Sequence, residues 1–168
     1  MTNTAAAIDR TRLLAEVRAN FKLEWGGHHG ANHWARVRYH GLALARARGG
    51  DLVVVELFAF LHDSQRHDEY RDPRHGERGA EYSRSLQGRY FELQAKQLQQ
   101  LTQAIRGHSD GGLSNDATIQ SCWDADRLDL GRVGIKPDVG YLSFEAARHL
   151  ETAYAWSRGR AKRKGVRA

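Results

Sequence analysis

At 168 residues the chain is long enough for one domain with a core that needs no covalent staples. Hydrophobic residues make up 40% and there are two prolines, which excludes a disordered chain, and the single cysteine, Cys122, excludes an intrachain disulfide and suits a reducing, cytoplasmic setting. The formal net charge of +6 is equalled by the six Lys and Arg of Arg158–Ala168, which carries no acid, so the remainder is near neutral and the surplus reads as a solvated, disordered tail, not a nucleic-acid-binding arm.

Ile8, Leu13, Leu14, Val17 and Phe21 recur at helical spacing and predict a first helix over Ile8–Phe21. Three glycines between Gly26 and Gly30 interrupt it. Asn32 is a candidate cap for a second helix to Arg48, with Val37, Leu44 and Ala45 inward. Gly49 and Gly50 end that helix, and Asp51 is placed to cap the next. Leu52–Asp63, LVVVELFAFLHD, has the composition of a buried element and is too short to span a bilayer. Its β-branched start would suit a strand, but its length favours a helix. No stretch reaches transmembrane length, and MTNTAAAIDRTRLLAEVR lacks the apolar core of a signal peptide.

Ser64–Arg74, with Pro73, reads as a polar loop. Further helices are predicted over His75–Leu86, Leu93–Arg106 and Asp116–Leu130, the last bearing Cys122 and the acids Asp124, Asp126 and Asp129. Gly131–Gly140 is irregular, and Leu142–Trp156 is expected to form a final helix. Trp25, Trp34, Trp123 and Trp156 read as core residues, and Cys122 as a buried small hydrophobe.

The chemistry concentrates where the apolar helix ends. His62 and Asp63 stand side by side, an imidazole and a carboxylate that can share one divalent cation, and burying both needs a reason. His33, His75, His108 and Asp126 are further candidates. They come from separate elements, and no CxxC or HExxH motif is present.

Three segments in order carry a resemblance. His33-Trp34-Ala35-Arg36-Val37 is similar to the H-x-x-R-V opening of the HD-domain superfamily of metal-dependent phosphohydrolases. Phe60-Leu61-His62-Asp63 resembles its defining His-Asp pair, and Asp124-Ala125-Asp126-Arg127-Leu128-Asp129 its closing A-D-x-L segment. The resemblance implies an all-α HD-domain bundle of about six to seven helices over residues 1–157, followed by the basic tail 158–168, with a metal site in the bundle core. It assigns His33, His62, Asp63 and Asp126 to one ion, with Asp124 as a supporting or capping acid.

His75-Gly76-Glu77-Arg78-Gly79-Ala80 and the loop at His108 resemble the dinuclear branch of the superfamily, though the GYP tripeptide is missing and Gly107 replaces a histidine. They imply a second ion held by His75 and His108, with Asp63 as the bridge. Arg66, three residues after Asp63, stands where many HD proteins place a lysine on the substrate phosphate, and His29 is a candidate for the pocket wall. Arg36, Arg78 and Arg127 are expected in structural ion pairs, Asp68 and Asp72 as supports of their loop, and His28, His40, His67 and His149 as non-ligands.

The expected function is hydrolysis of a phosphate ester or anhydride, with a nucleotide as the favoured small phosphorylated substrate and water activated by metal. Manganese or iron is the preferred metal, while magnesium, cobalt, zinc and nickel also suit the ligands. Two rivals stand beside it: a di-iron oxygenase on the same ligands, and a non-catalytic metal- or ligand-sensing module. No membrane partner is expected.

Overall fold

The computed structural model describes residues 8–159. They form eight α-helices: α1 (Arg10–Asn20), α2 (Ala31–Arg48), α3 (Leu52–Leu61), α4 (His75–Leu86), α5 (Ala95–Gly107), α6 (Ala117–Leu128), α7 (Phe144–Ala147) and α8 (Leu150–Ser157). Short 3-10 turns cover Leu130–Val133 and Val139–Tyr141, and the described residues contain no β-strand, only isolated bridges. The all-α expectation holds. The first seven residues and most of the basic tail, from Arg160 on, lie outside the described residues.

Helix α3 is the axis of the bundle, packed on α2, α5 and α6 and touching α1 and α4. Every residue from Val54 to Leu61 is buried, as the unbroken apolar run requires. Its one charge, Glu56, is buried but clasped by Arg10 (Nε 2.9 Å, Nη2 2.6 Å) and Arg38 (Nε 2.8 Å). Burial would raise its pKa, and the two guanidinium groups bring it below the ordinary value instead. Asp51 caps α3 as predicted, its Oδ1 accepting from the backbone N–H groups of Val53 and Val54, and Gly49 closes α2 at φ 73°.

Three expectations need correction. Asn32 does not cap α2, which begins one residue earlier at Ala31 with Gly30 in the cap position. The predicted helix over Leu142–Trp156 is two helices, which accounts for the count exceeding six to seven. A turn at Arg148–His149 lets Ala146 and then Leu150 and Ala153 face the same small cluster, built with Leu44, Leu128 and Leu142. Trp156 is 39% exposed and rests edge-on against Tyr39 and His40, whereas Trp34 and Trp123 are core residues.

Two close approaches bring helix ends together. A side-chain carbon on Gly76 would stand 2.8 Å from the carbonyl oxygens of Ile105 and Arg106, so the start of α4 rests directly on the end of α5. One on Gly79 would stand 3.3 Å from the Leu61 and His62 carbonyls, at the end of α3. The absence of Cβ at these two positions places the N-terminus of α4 over two other helix ends, next to His62 and His108.

Candidate metal centre

Four histidines converge at these helix ends, each with one ring nitrogen spoken for. His33 on α2 donates Nδ1–H to Asp129 Oδ2 (2.7 Å), His62 at the end of α3 to Phe58 O (3.1 Å), and His108 after α5 to Ile105 O (2.6 Å). His75, first residue of α4, donates Nδ1–H to Asp72 O. All four acceptors are oxygens that cannot donate, so each neutral ring carries its lone pair on Nε2. The Nε2 atoms then face one another in pairs, His33 with His62 at 3.0 Å and His75 with His108 at 2.9 Å. Lone pairs at that separation need a positive charge between them.

Asp63 joins the two pairs. Its Oδ2 lies 3.6 Å from His33 Nε2 and 3.4 Å from His62 Nε2, and its Oδ1 lies 3.4 Å from His75 Nε2 and 3.5 Å from His108 Nε2. Asp126 closes the first group from the solvent side, with Oδ1 3.2 Å from His33 Nε2 and 3.7 Å from His62 Nε2. Donors at about 2.0–2.2 Å from a common first-row ion stand about 3.0–3.6 Å apart, so these spacings suit metal ligation. Asp63 Oδ1, buried and without a hydrogen-bond partner among the described residues, is the orphaned acceptor such an ion would satisfy. Two buried groups, His33–His62–Asp63 and Asp63–His75–His108, could each hold a metal ion.

The electrostatics agree with that chemistry. Burial pushes His62 down, and His75 down to about 4, keeping both rings neutral. Burial would raise the Asp63 and Asp126 carboxyls, but the surrounding imidazoles outweigh it and hold both well below the usual range. His108 differs from His62 and His75: burial lowers it, yet the nearby Asp63 and Asp126 carboxylates push it up on balance, so this ring is drawn towards the charged state. Neutral nitrogens and ionised carboxylates are the donor states a divalent cation takes up.

The candidates divide cleanly in space. His33, His62, Asp63, His75, His108 and Asp126 meet at one place. Asp124, also buried, points elsewhere and accepts from Arg48, Gln120 and the backbone and hydroxyl of Ser143, fixing the start of α7. Arg66 borders the second group, its Nη1 3.2 Å from His75 Nε2 and 3.6 Å from Asp63 Oδ1. His29 lines the adjoining cleft, its Nδ1 bonded to Glu69. Asp68 and Asp72 brace their loop by accepting from backbone N–H groups, and Arg78 pairs with Asp72. Arg36 pairs with Asp129. Arg127 departs from expectation: among the described residues it pairs with no carboxylate, and it donates to the carbonyls of Tyr141 (2.7 Å) and Gly112 (2.6 Å).

Two residues of the site carry no motif signal. Asp129 accepts from both His33 and Arg36 and so sets the orientation of a candidate ligand. Its spacing of three from Asp126 at the end of α6 is the one clue in the sequence. Arg132, on the 3-10 turn, lies 4.0 Å from Asp126 Oδ1, and the irregular segment around it offers no periodicity from which that could be read.

No protein-family model matches the chain, nor does any curated protein. Among solved structures, the crystal structure of a predicted HD superfamily hydrolase from an uncultured Thermotogales bacterium is similar, with a TM-score of 0.69 and 27% identity over 90% of this chain and 88% of that one. The His/Asp cluster already described fits an HD metal site. The chain shares the fold of this neighbour. The His62–Asp63 pair sits where α3 runs out of apolar sequence, and the ends of four other helices, α2, α4, α5 and α6, are brought to it. No helix among the described residues is long and apolar enough to cross a membrane.

Proposed function

We propose that this chain is an HD-domain, metal-dependent phosphohydrolase that cleaves a phosphate ester or anhydride, with a nucleotide as the favoured substrate. The observation that carries the reading is Asp63, whose two oxygens face two separate pairs of Nε2 lone pairs. His33, His62, Asp63 and Asp126 would hold a first divalent ion, and Asp63, His75 and His108 a second. Such ions acidify water and neutralise charge on phosphoryl oxygens. Manganese or iron suits the mixed imidazole and carboxylate donors.

The protein's own groups supply the rest. Asp129 and three backbone carbonyls hold the four rings in the tautomer that leaves Nε2 free. Asp126, which faces the cleft, is an acceptor able to orient a water. Arg66, with only 11% of its side chain exposed, sits beside the second group and can give a phosphoryl oxygen a charged hydrogen bond. Cationic side chains at the rim favour phosphate chemistry over an oxygenase, and clustered ligands open to a cleft favour turnover over sensing alone. The test is hydrolysis of a panel of phosphate esters and anhydrides by protein of measured metal content. The expected result is turnover that disappears in His62→Ala while the helical circular dichroism is kept, and no turnover of any phosphate compound by the metal-loaded protein would overturn the proposal.

A further inference from the structure

The cleft above the cluster has a volume of about 360 Å³, at the small end for a ligand site. Its floor contains Asp63, Asp126 and His108, and three arginines reach its lining. They are not equivalent. Arg66 is anchored through Nε to Asp68 O (3.2 Å) and through Nη1 to His75, and Arg132 through Nε to His28 O (2.8 Å) and Nη1 to Asp129 O (3.1 Å). In both, Nη2 has no hydrogen-bond partner among the described residues. Arg132 is held firmly, with 8% of its side chain exposed, and approaches the first group as Arg66 approaches the second. The third arginine, Arg127, spends both terminal nitrogens on the Tyr141 and Gly112 carbonyls and lies over the Trp123 ring at 5.6 Å. It clasps two loops together, so its guanidinium is engaged in the wall, with one N–H left on each terminal nitrogen.

Beyond the two free guanidinium arms the wall changes character. Leu130, Val133, Pro137 and Tyr141 line it, and Tyr141 is 50% exposed. The one further charged group there is the carboxylate of Asp138, which accepts from the Gly140 N–H at 2.8 Å. The positive charge is therefore sufficient for one phosphoryl group at the cluster. A second phosphoryl group extending outward would meet apolar side chains and an acid, with only the already engaged Arg127 as counter-charge.

Resting on the phosphohydrolase reading, and narrowing it away from a nucleotide, we infer that the substrate is a phosphate monoester with a flat, apolar leaving group, its phosphoryl group gripped by Arg132 opposite Arg66 and its organic part laid on the Val133–Tyr141 wall. Arg132 is then a substrate-binding residue and Tyr141 a specificity residue. In the reaction the oxygen of water bonds to phosphorus, the ester P–O bond breaks, and the departing alcohol takes up the proton that water loses.

The test uses the full chain loaded with manganese and reads both turnover and binding. Phenyl phosphate, ethyl phosphate and inorganic pyrophosphate are compared as substrates, and phenylphosphonate and methylphosphonate as non-reacting ligands by calorimetry. Wild type is expected to prefer phenyl phosphate to pyrophosphate at least tenfold in kcat/KM, although pyrophosphate has the better leaving group. Tyr141→Ala is expected to lower the phenyl-to-ethyl ratio of kcat/KM, and the phenyl-to-methyl ratio of phosphonate affinity, by about fivefold, the scale of an aromatic contact. Arg132→Gln is expected to weaken both phosphonates about tenfold or more, with partial recovery in Arg132→Lys. Preference for pyrophosphate, equal affinity for the two phosphonates, or indifference to Arg132→Gln would overturn the inference. Tyr141-dependent phosphonate binding without turnover of any ester would keep the binding assignment and overturn the hydrolase reading instead.

Discussion

His75 and His108 face each other with their Nε2 atoms 2.9 Å apart while both Nδ1–H groups are given to backbone carbonyls. Neither ring can turn away without leaving a buried N–H and a carbonyl unpaired, so the lone pairs are held in opposition, an arrangement that a shared cation or proton stabilises; His75 Nε2 also has Arg66 Nη1 and Ser109 Oγ within 3.2 Å. His33 and His62 are opposed in the same way at 3.0 Å, their Nδ1–H groups given to the Asp129 carboxylate and the Phe58 carbonyl.

Metal content follows from that arrangement. Protein purified without added metal or chelator is expected to carry two ions per chain by elemental analysis. His75→Ala or His108→Ala should reduce this to one, and Asp63→Ala, which removes the oxygens facing both pairs, should abolish it while the helical circular dichroism is kept.

Gly76→Ala tests how the second pair is assembled. The new methyl carbon would stand 2.8 Å from two carbonyl oxygens at the end of α5, so α4 must shift away and carry His75 with it. Loss of about 1–3 kcal/mol of stability is expected from denaturant unfolding, together with loss of one ion but not the other.

Asp129 orients His33 and is itself held by Arg36 at 2.6 Å. Asp129→Asn should weaken manganese binding at the first group about 10- to 100-fold in a calorimetric titration, the usual cost of removing a ligand's supporting acid. Asp124→Asn, five residues earlier and directed at Ser143, should leave the affinity unchanged.

Acid stability should depend on His40, a buried residue away from the cluster whose Nε2 has no hydrogen-bond partner among the described residues. Burial holds its pKa at about 4, with Asp129 opposing the shift and His149 and Arg36 adding to it. The unfolded chain takes the proton first, near pH ~6.5, so the stability of the neutral buried ring is complete above that pH and is lost as the pH falls towards 4. The melting temperature should fall across this window, to which buried His62 and His75 also contribute. His40→Phe should make the fall shallower.

Much of this was legible in the sequence for stated reasons. An apolar run of helical length bounded by Gly49-Gly50, Asp51 and a polar loop favours a buried helix over the strand its β-branched start would suit, and α3 has those bounds to within two residues. His62 and Asp63 announce themselves because polar side chains at the end of such a run must be satisfied by something. The break between α7 and α8 was not legible, since Phe144–Trp156 contains neither glycine nor proline; the turn arises from packing Leu150 and Ala153 back onto Leu128. Trp156 misled because an indole reads as core, whereas here the bundle offers it only the rim beside Tyr39 and His40.

By itself the sequence determined which side chains could serve as ligands and which helices would carry them, because residue chemistry and helical periodicity are local properties. Only the tertiary structure decided that Asp63 divides its oxygens between two histidine pairs, that Asp126 and not Asp124 turns towards them, and that Asp129 and Arg132 belong to the site. Those facts depend on the rotation of α6 against α2 and on glycine-permitted contacts between α4 and the ends of α3 and α5. Rotation and approach between helices distant in sequence are set by the packing of the whole bundle, and a short motif does not encode them.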